Sequence, residues 1–165
     1  MFPPLAVRRA VQYLANAAGG NGMAGGQMID TAADGRLATR EDLEHMYRLK
    51  TGALIAAASV LGLFSATDTP SPEMLADVEQ YSYCVGLAFQ MVDDILDVTA
   101  DASDFGRPTG SDDKNGKTTI LSFMSIEEAC EQVKVLTQAA EDAISKYSGC
   151  ESLIELARYL VTRKK

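Results

Sequence analysis

The sequence predicts an all-α protein, and three observations carry that expectation. Hydrophobic residues make up 47% of the 165-residue chain but aromatics only 7%, with no Trp and five Pro, a composition that suits Ala- and Leu-rich helices better than packed strands. Helix start and stop signals recur along the chain. No alternating pattern is strong enough to compete as a strand. The length is that of one domain able to bury a real core.

Each helix has its own punctuation. Leu5 to Ala18 carries apolar residues at helical spacing and stops at the breaker cluster Gly19-Gly20-Asn21-Gly22. A second helix from about Met23 should end near Asp34-Gly35, where glycine can supply a left-handed cap. Thr39-Arg-Glu-Asp42 resembles a capping box and opens a long helix to about Phe64, followed by a linker from Ser65 to Pro70. Ser71-Pro72-Glu73 supplies an N-cap, a proline at the first helical position and an acid in the first turn, so a helix starts there and runs to Thr99. Residues 100 to 117, ADASDFGRPTGSDDKNGK, are polar with three Gly and one Pro, too irregular for an element and long for an idle loop. Ser125-Ile-Glu-Glu128 is a further capping box, opening a helix to about Tyr147, and a last helix spans Glu151 to Thr162.

Charge and cysteine usage narrow the function. Fifteen basic residues against 23 acidic ones give a formal charge of -8, which argues against general binding to nucleic acid or an anionic membrane. A protein of that charge that handles phosphate needs metal or a few focused cations. Cys84, Cys130 and Cys150 are odd in number and lack CxxC or Cys/His spacing, so neither a disulfide framework nor a zinc site is indicated, and a reducing cytoplasm is the simplest location. The longest apolar stretch, ALIAAASVLGLF at 53 to 64, is too short to span a bilayer, and MFPPLAVRR lacks the features of a signal peptide, so a soluble chain is expected.

The most informative segment is GLAFQMVDDILDV, residues 86 to 98. On a helix Asp93 and Asp97 stand at i and i+4, with Asp94 beside them and Gln90 on the same stripe. Carboxylates crowded among Leu87, Phe89, Met91, Val92, Ile95, Leu96 and Val98 are expensive without a partner. A hard cation removes the repulsion, and Mg²⁺ takes carboxylate oxygens alongside water and phosphate. The competing reading is a solvated acidic patch. Lys50 is the second unusual residue, sharing a stripe with Leu43, Met46, Tyr47, Leu54, Ala57 and Leu61. Its anionic partner is either a structural carboxylate or a bound phosphate. Thr51 can offer a hydroxyl or its carbonyl to the same cavity.

Other motifs fail on inspection. GSDDKNGKT resembles a P-loop, but five residues separate Gly110 from Gly116, acids would face the phosphates, and no strand precedes it. SDDKNG hints at a calcium loop, yet Ser111 and Ser122 stand where acids belong. Arg107 and Lys117 remain, placed after the acidic turn and able to reach phosphate oxygens, or else ordinary loop charges. The single His45 and the absence of a partner base exclude a hydrolytic triad, leaving His45 on a helix surface. Phe89, Tyr81 and Tyr83 lie at helical spacing as core residues.

Taken together, GGQMID (25 to 30), RLKTGALI (48 to 55), GLAFQMVDDILD (86 to 97) and FGRPTGSDDKNGKTT (105 to 119) resemble the trans-isoprenyl diphosphate synthases, most closely the bacterial farnesyl diphosphate synthases. The resemblance covers nearly the whole chain. It implies the isoprenoid synthase helical bundle and a head-to-tail condensation of isopentenyl diphosphate with an allylic diphosphate. It implies Asp93, Asp94 and Asp97 as Mg²⁺ ligands, and Lys50, Arg107 and Lys117 as cations around the diphosphate. Thr51 and Gln90 would face the allylic carbocation, and Gln27, Phe89 and Arg163 would stand on the substrate side. A cytoplasmic homodimer is implied with them. Arg107 stands where the family usually has Lys, which keeps the charge but alters its geometry. The family's N-terminal half, with the first aspartate-rich motif, has no counterpart, so residues 1 to 165 look like the C-terminal half of a polyprenyl synthase domain. A non-catalytic diphosphate-binding subunit is the alternative. A plain helical interaction domain would leave Lys50 and the aspartates as coincidence.

Overall fold

Glycine breakers and serine or threonine caps divide the chain largely where the sequence places them. A computed structural model describes residues 3–32, 36–67, 69–99 and 117–163. Helix α1 spans Pro4–Ala18, α2 Met23–Ala32, α3 Arg40–Tyr47, α4 Ala53–Ala66, α5 Pro72–Thr99, α6 Ile126–Ile144 and α7 Glu151–Thr162. A π-helical turn, Arg48–Gly52, joins α3 to α4, and a 3₁₀ turn, Ile120–Ser122, precedes α6. Every regular element among the described residues is helical, as expected. The segment 100–116, with Arg107, and the Gly35 cap lie outside the described residues.

The caps account for the starts. Thr39 accepts from the Asp42 N–H at 3.1 Å, but its hydroxyl donates to the Asp42 carboxylate, so only one side of the expected box closes. Ser71 accepts from the Met74 N–H, and Ser125 with Glu128 forms the full reciprocal box. Helix α6 ends before Tyr147 because the chain tightens there, with the Tyr147 N–H bonded to the Ile144 carbonyl. Gly149 then turns in the left-handed region at φ 81°.

The π turn is the main departure from the expected single helix over 40 to 64. It adds a residue to one turn and shifts the phase of everything after it. Leu43, Met46 and Tyr47 are buried as the stripe requires, but past the turn the buried residues are Ala53, Ala56, Ala57, Val60 and Phe64, while Leu54 is exposed. The continuous rod Arg40–Ala66 is long and apolar enough, by length and composition, to cross a membrane, although the apolar stretch 53–64 alone is short. Here it packs against α1 and α5.

Helix α5, about 42 Å long at 1.5 Å per residue, is the element the others pack around. Its Ala88, Met91 and Val92 meet Leu43, Met46 and Tyr47 of α3 together with Ile120, Ala129 and Val133. Its Tyr81, Cys84 and Val85 meet Ala140, Ile144, Cys150 and Ala157. Two close approaches fix the third neighbour. A Cβ on Gly26 would lie 2.3 Å from the Lys50 backbone nitrogen, and one on Gly86 would lie 2.9 Å from the Gly52 Cα. Helix α2, the π turn and α5 thus touch backbone to backbone. Val7, Val11 and Leu14 of α1 and Met28 of α2 are exposed.

These contacts separate two glycines by their effect. Gly26→Ala must push the π turn off α2 and should cost about 1–3 kcal/mol as overpacking does. Gly62→Ala has open space around the new methyl and should gain up to about 1 kcal/mol of helix propensity. Thermal or urea melts of the two variants should move in opposite directions.

Candidate functional site

The backbone contacts at Gly26 and Gly86 bring three helices to one surface, and the polar residues of that surface form a connected row. Lys50 sits in the π turn, where its ammonium donates to Asp30 of α2 at 2.6 Å. Lys117 reaches the other oxygen of Asp30 at 3.6 Å. The Thr51 hydroxyl donates to Gln90 Oε1 on α5 at 2.5 Å. Asp93 follows Gln90 by one helical turn, and Arg163, just past α7, donates to Asp93 Oδ1.

Lys50 therefore has a carboxylate partner, one of the two kinds its position requires. About a third of the Lys50 and Lys117 side chains stays exposed, 31% each, against 12% for Asp30. Burial pulls the Asp30 carboxyl up, but the hydrogen bond from Lys50 and the charge of Lys117 outweigh it and hold it below the ordinary carboxylate range.

The three aspartates differ in their surroundings. Asp94 is buried, and its Oδ2 accepts from the Tyr47 hydroxyl at 2.6 Å and from the Ile120 N–H at 2.8 Å. Those bonds tie α5 to α3 and to the 3₁₀ turn through one of the two Asp94 oxygens. Asp93 keeps 46% of its side-chain surface exposed while it meets Arg163, and Asp97 is half-buried. Among the described residues no group of three His, Cys, Asp or Glu side chains is gathered to hold a metal ion. Asp93 and Asp97, carboxylates one turn apart, still fit Mg²⁺, which takes one or two carboxylates and fills its shell with water and phosphate oxygen.

The remaining expected residues divide. The Arg163 guanidinium stacks over the Phe89 ring at 3.7 Å, which makes Phe89 a half-buried platform rather than core. The Arg163 Nε is buried without a partner among the described residues. Gln27 is exposed and donates to Thr31 at 3.3 Å, on the same face of α2 as Asp30. His45 is exposed, as expected. Arg107 lies outside the described residues.

Sequence reasoning did not single out Asp30 or Tyr47. Asp30 had a usable signal, since it is the sole charged residue between Arg9 and Asp34 and Lys50 needed an anion. Tyr47 had none, because its helical spacing reads as core.

Two tests follow from these bonds. Tyr47→Phe removes a donor from a buried carboxylate and should cost about 1–3 kcal/mol in urea unfolding. Asp30, with its folded pKa lowered, adds stability that is fully present above its unfolded value near 3.8 and is lost as pH falls below that through the folded value. An Asp30→Asn variant should therefore flatten the stability-versus-pH curve in that acid range.

Comparison with known proteins gives a consistent family. The polyprenyl synthetase pattern matches residues 5–157. The farnesyl diphosphate synthase of Escherichia coli K12 is 36% identical over 159 residues, covering 94% of this chain and 53% of that protein. The chloroplastic geranylgeranyl pyrophosphate synthase 3 of Arabidopsis thaliana is 36% identical over 168 residues, covering 99% of this chain and 46% of that protein. The crystal structure of geranylgeranyl pyrophosphate synthetase from Pyrococcus horikoshii superposes with a TM-score of 0.86 at 26% identity, covering 99% of this chain and 61% of the other. The chain spans about half the length of the curated relatives it matches.

Proposed function

Because this chain belongs to the polyprenyl synthetase family, we propose that it forms the C-terminal half of a short-chain trans-prenyltransferase, which joins isopentenyl diphosphate head-to-tail to an allylic diphosphate. The observation that carries this reading is the row Lys117, Asp30, Lys50, Thr51, Gln90 and Asp93, in which two lysines share one carboxylate and the Thr51–Gln90 bond leads to Asp93 one turn further along α5. The farnesyl product is the one proposed, by conversion of geranyl diphosphate.

The residues divide the work. Lys50, Lys117 and Arg107 hold the allylic diphosphate by charge and stabilise it as it leaves. Asp93 and Asp97, with Asp94 beside them, would hold Mg²⁺, which when bound would supply Lewis-acid neutralisation of the leaving diphosphate. Asp94 positions α5 through Tyr47 and Ile120. Thr51 and Gln90 turn their oxygens to the allylic cation left behind, and Phe89 walls it from water. Gln27 and Arg163 contact substrate at the margins. The double bond of the isopentenyl unit attacks the cation, a new carbon–carbon bond forms, and a proton is lost. The exposed apolar residues of α1 and α2 are where the other half of the bundle or a second copy packs, and a cytoplasmic homodimer is the proposed assembly.

The half-length coverage favours one second reading, a non-catalytic subunit that lends its diphosphate site to a partner synthase. Activity that arises only on mixing with another polypeptide would identify it. Incubation with isopentenyl and geranyl diphosphates, read by mass spectrometry, should give a Mg²⁺-dependent C15 product from the complete enzyme. Asp93→Ala should lower its turnover by more than tenfold, and a smaller loss contradicts the role given to Asp93.

A further inference from the structure

Asp30 makes no contact with the reacting atoms in the reaction proposed above, yet its placement is costly and specific. A carboxylate only 12% exposed needs compensation, and it has two cations, one on each oxygen. Lys50 holds Oδ2 at 2.6 Å and Lys117 faces Oδ1 at 3.6 Å. Two ammonium groups seated on one carboxylate stand side by side, a spacing at which they would repel without the anion between them. Each ammonium carries three donors, so the bond to Asp30 leaves others for a ligand.

The backbone fixes all three positions independently of these charges. Gly26 lies one turn before Asp30 and presses against the Lys50 backbone, so α2 and the π turn cannot separate. Thr118, next to Lys117, accepts from the Leu37 N–H at 3.0 Å, and Ile120 is tied to Asp94. Lys117 is thereby led back to Asp30 although 19 residues of chain lie between Asp97 and it.

We infer that Asp30 is a positioning residue, the shared counter-ion that holds Lys50 and Lys117 side by side as one two-cation seat for a diphosphate. The inference rests on the diphosphate reading above for the identity of the ligand. The carboxylate stays beneath the lysines, and their exposed ends turn to the phosphate oxygens. One net positive charge is left on the empty seat, which keeps it stable before substrate arrives.

The test is lysine acylation of the full polypeptide at fixed pH, followed residue by residue by mass spectrometry. The Asp30 carboxylate engages both side-chain nitrogens and restricts their approach to the reagent, so Asp30→Asn should speed acylation of Lys50 and Lys117 at least threefold and leave Lys134 and Lys146 unchanged. Asp30→Glu, which keeps the charge, should restore the slow rates. Turnover of the complete enzyme should fall more than tenfold in Asp30→Asn with KM for the allylic diphosphate within threefold, because the lost order is felt when the leaving group gains charge. Unchanged acylation at either lysine overturns the inference, as does general acceleration that includes Lys134 and Lys146 in both variants. Inorganic pyrophosphate should slow acylation of both lysines in the parent. Failure of that protection alone overturns the diphosphate reading and leaves the counter-ion result standing.

Discussion

The structure depends on three helices meeting without side chains between them. Gly26 lies on the backbone at Lys50, and Gly86 lies on Gly52. A methyl at either glycine would force α2, the π turn and α5 apart. Helices normally pack 8–10 Å apart, a spacing set by the side chains between them; glycine contact brings them closer. That approach lets the short side chains of Asp30 and Thr51 reach Lys50 and Gln90 directly.

The π turn follows from the same constraint. A continuous α-helix from Arg40 to Ala66 would carry Leu54 inward and bury the same stripe throughout. The extra residue instead lets α3 present Leu43, Met46 and Tyr47 to one core while α4 presents Ala53 and Ala57 to another. Lys50 and Thr51 lie in the wide turn between the two phases, directed to the polar row. Functional residues often stand on such π insertions.

Much of the fold was legible because its signals are local. Ser125 with Glu128, Ser71 before Pro72 and the Gly19 to Gly22 cluster each mark a boundary by chemistry contained within a few residues. The π turn was not legible, since Arg48-Leu-Lys-Thr-Gly52 continues the helical period and only tertiary contact with Gly26 and Gly86 explains it. The site was half legible. Lys50, Thr51, Gln90 and Asp93 stood out as polar residues inside apolar stripes, and the structure places them in one row. Asp94 reads like its neighbours in sequence, but its Oδ2 is taken by Tyr47 and Ile120, partners 47 and 26 residues away. Such long-range bonds leave no mark on local spacing.

The proposed site combines one cationic seat with metal-competent carboxylates, and each half is incomplete without the other. An acidic protein of formal charge -8 attracts a diphosphate only where cations are focused and metal offsets the aspartates. Isothermal titration of inorganic pyrophosphate into the polypeptide, with and without Mg²⁺, tests this most directly. The account predicts binding that requires Mg²⁺ and weakens at least tenfold in Lys50→Gln. Binding that is absent with Mg²⁺ present, or that is indifferent to both the metal and Lys50, would contradict it.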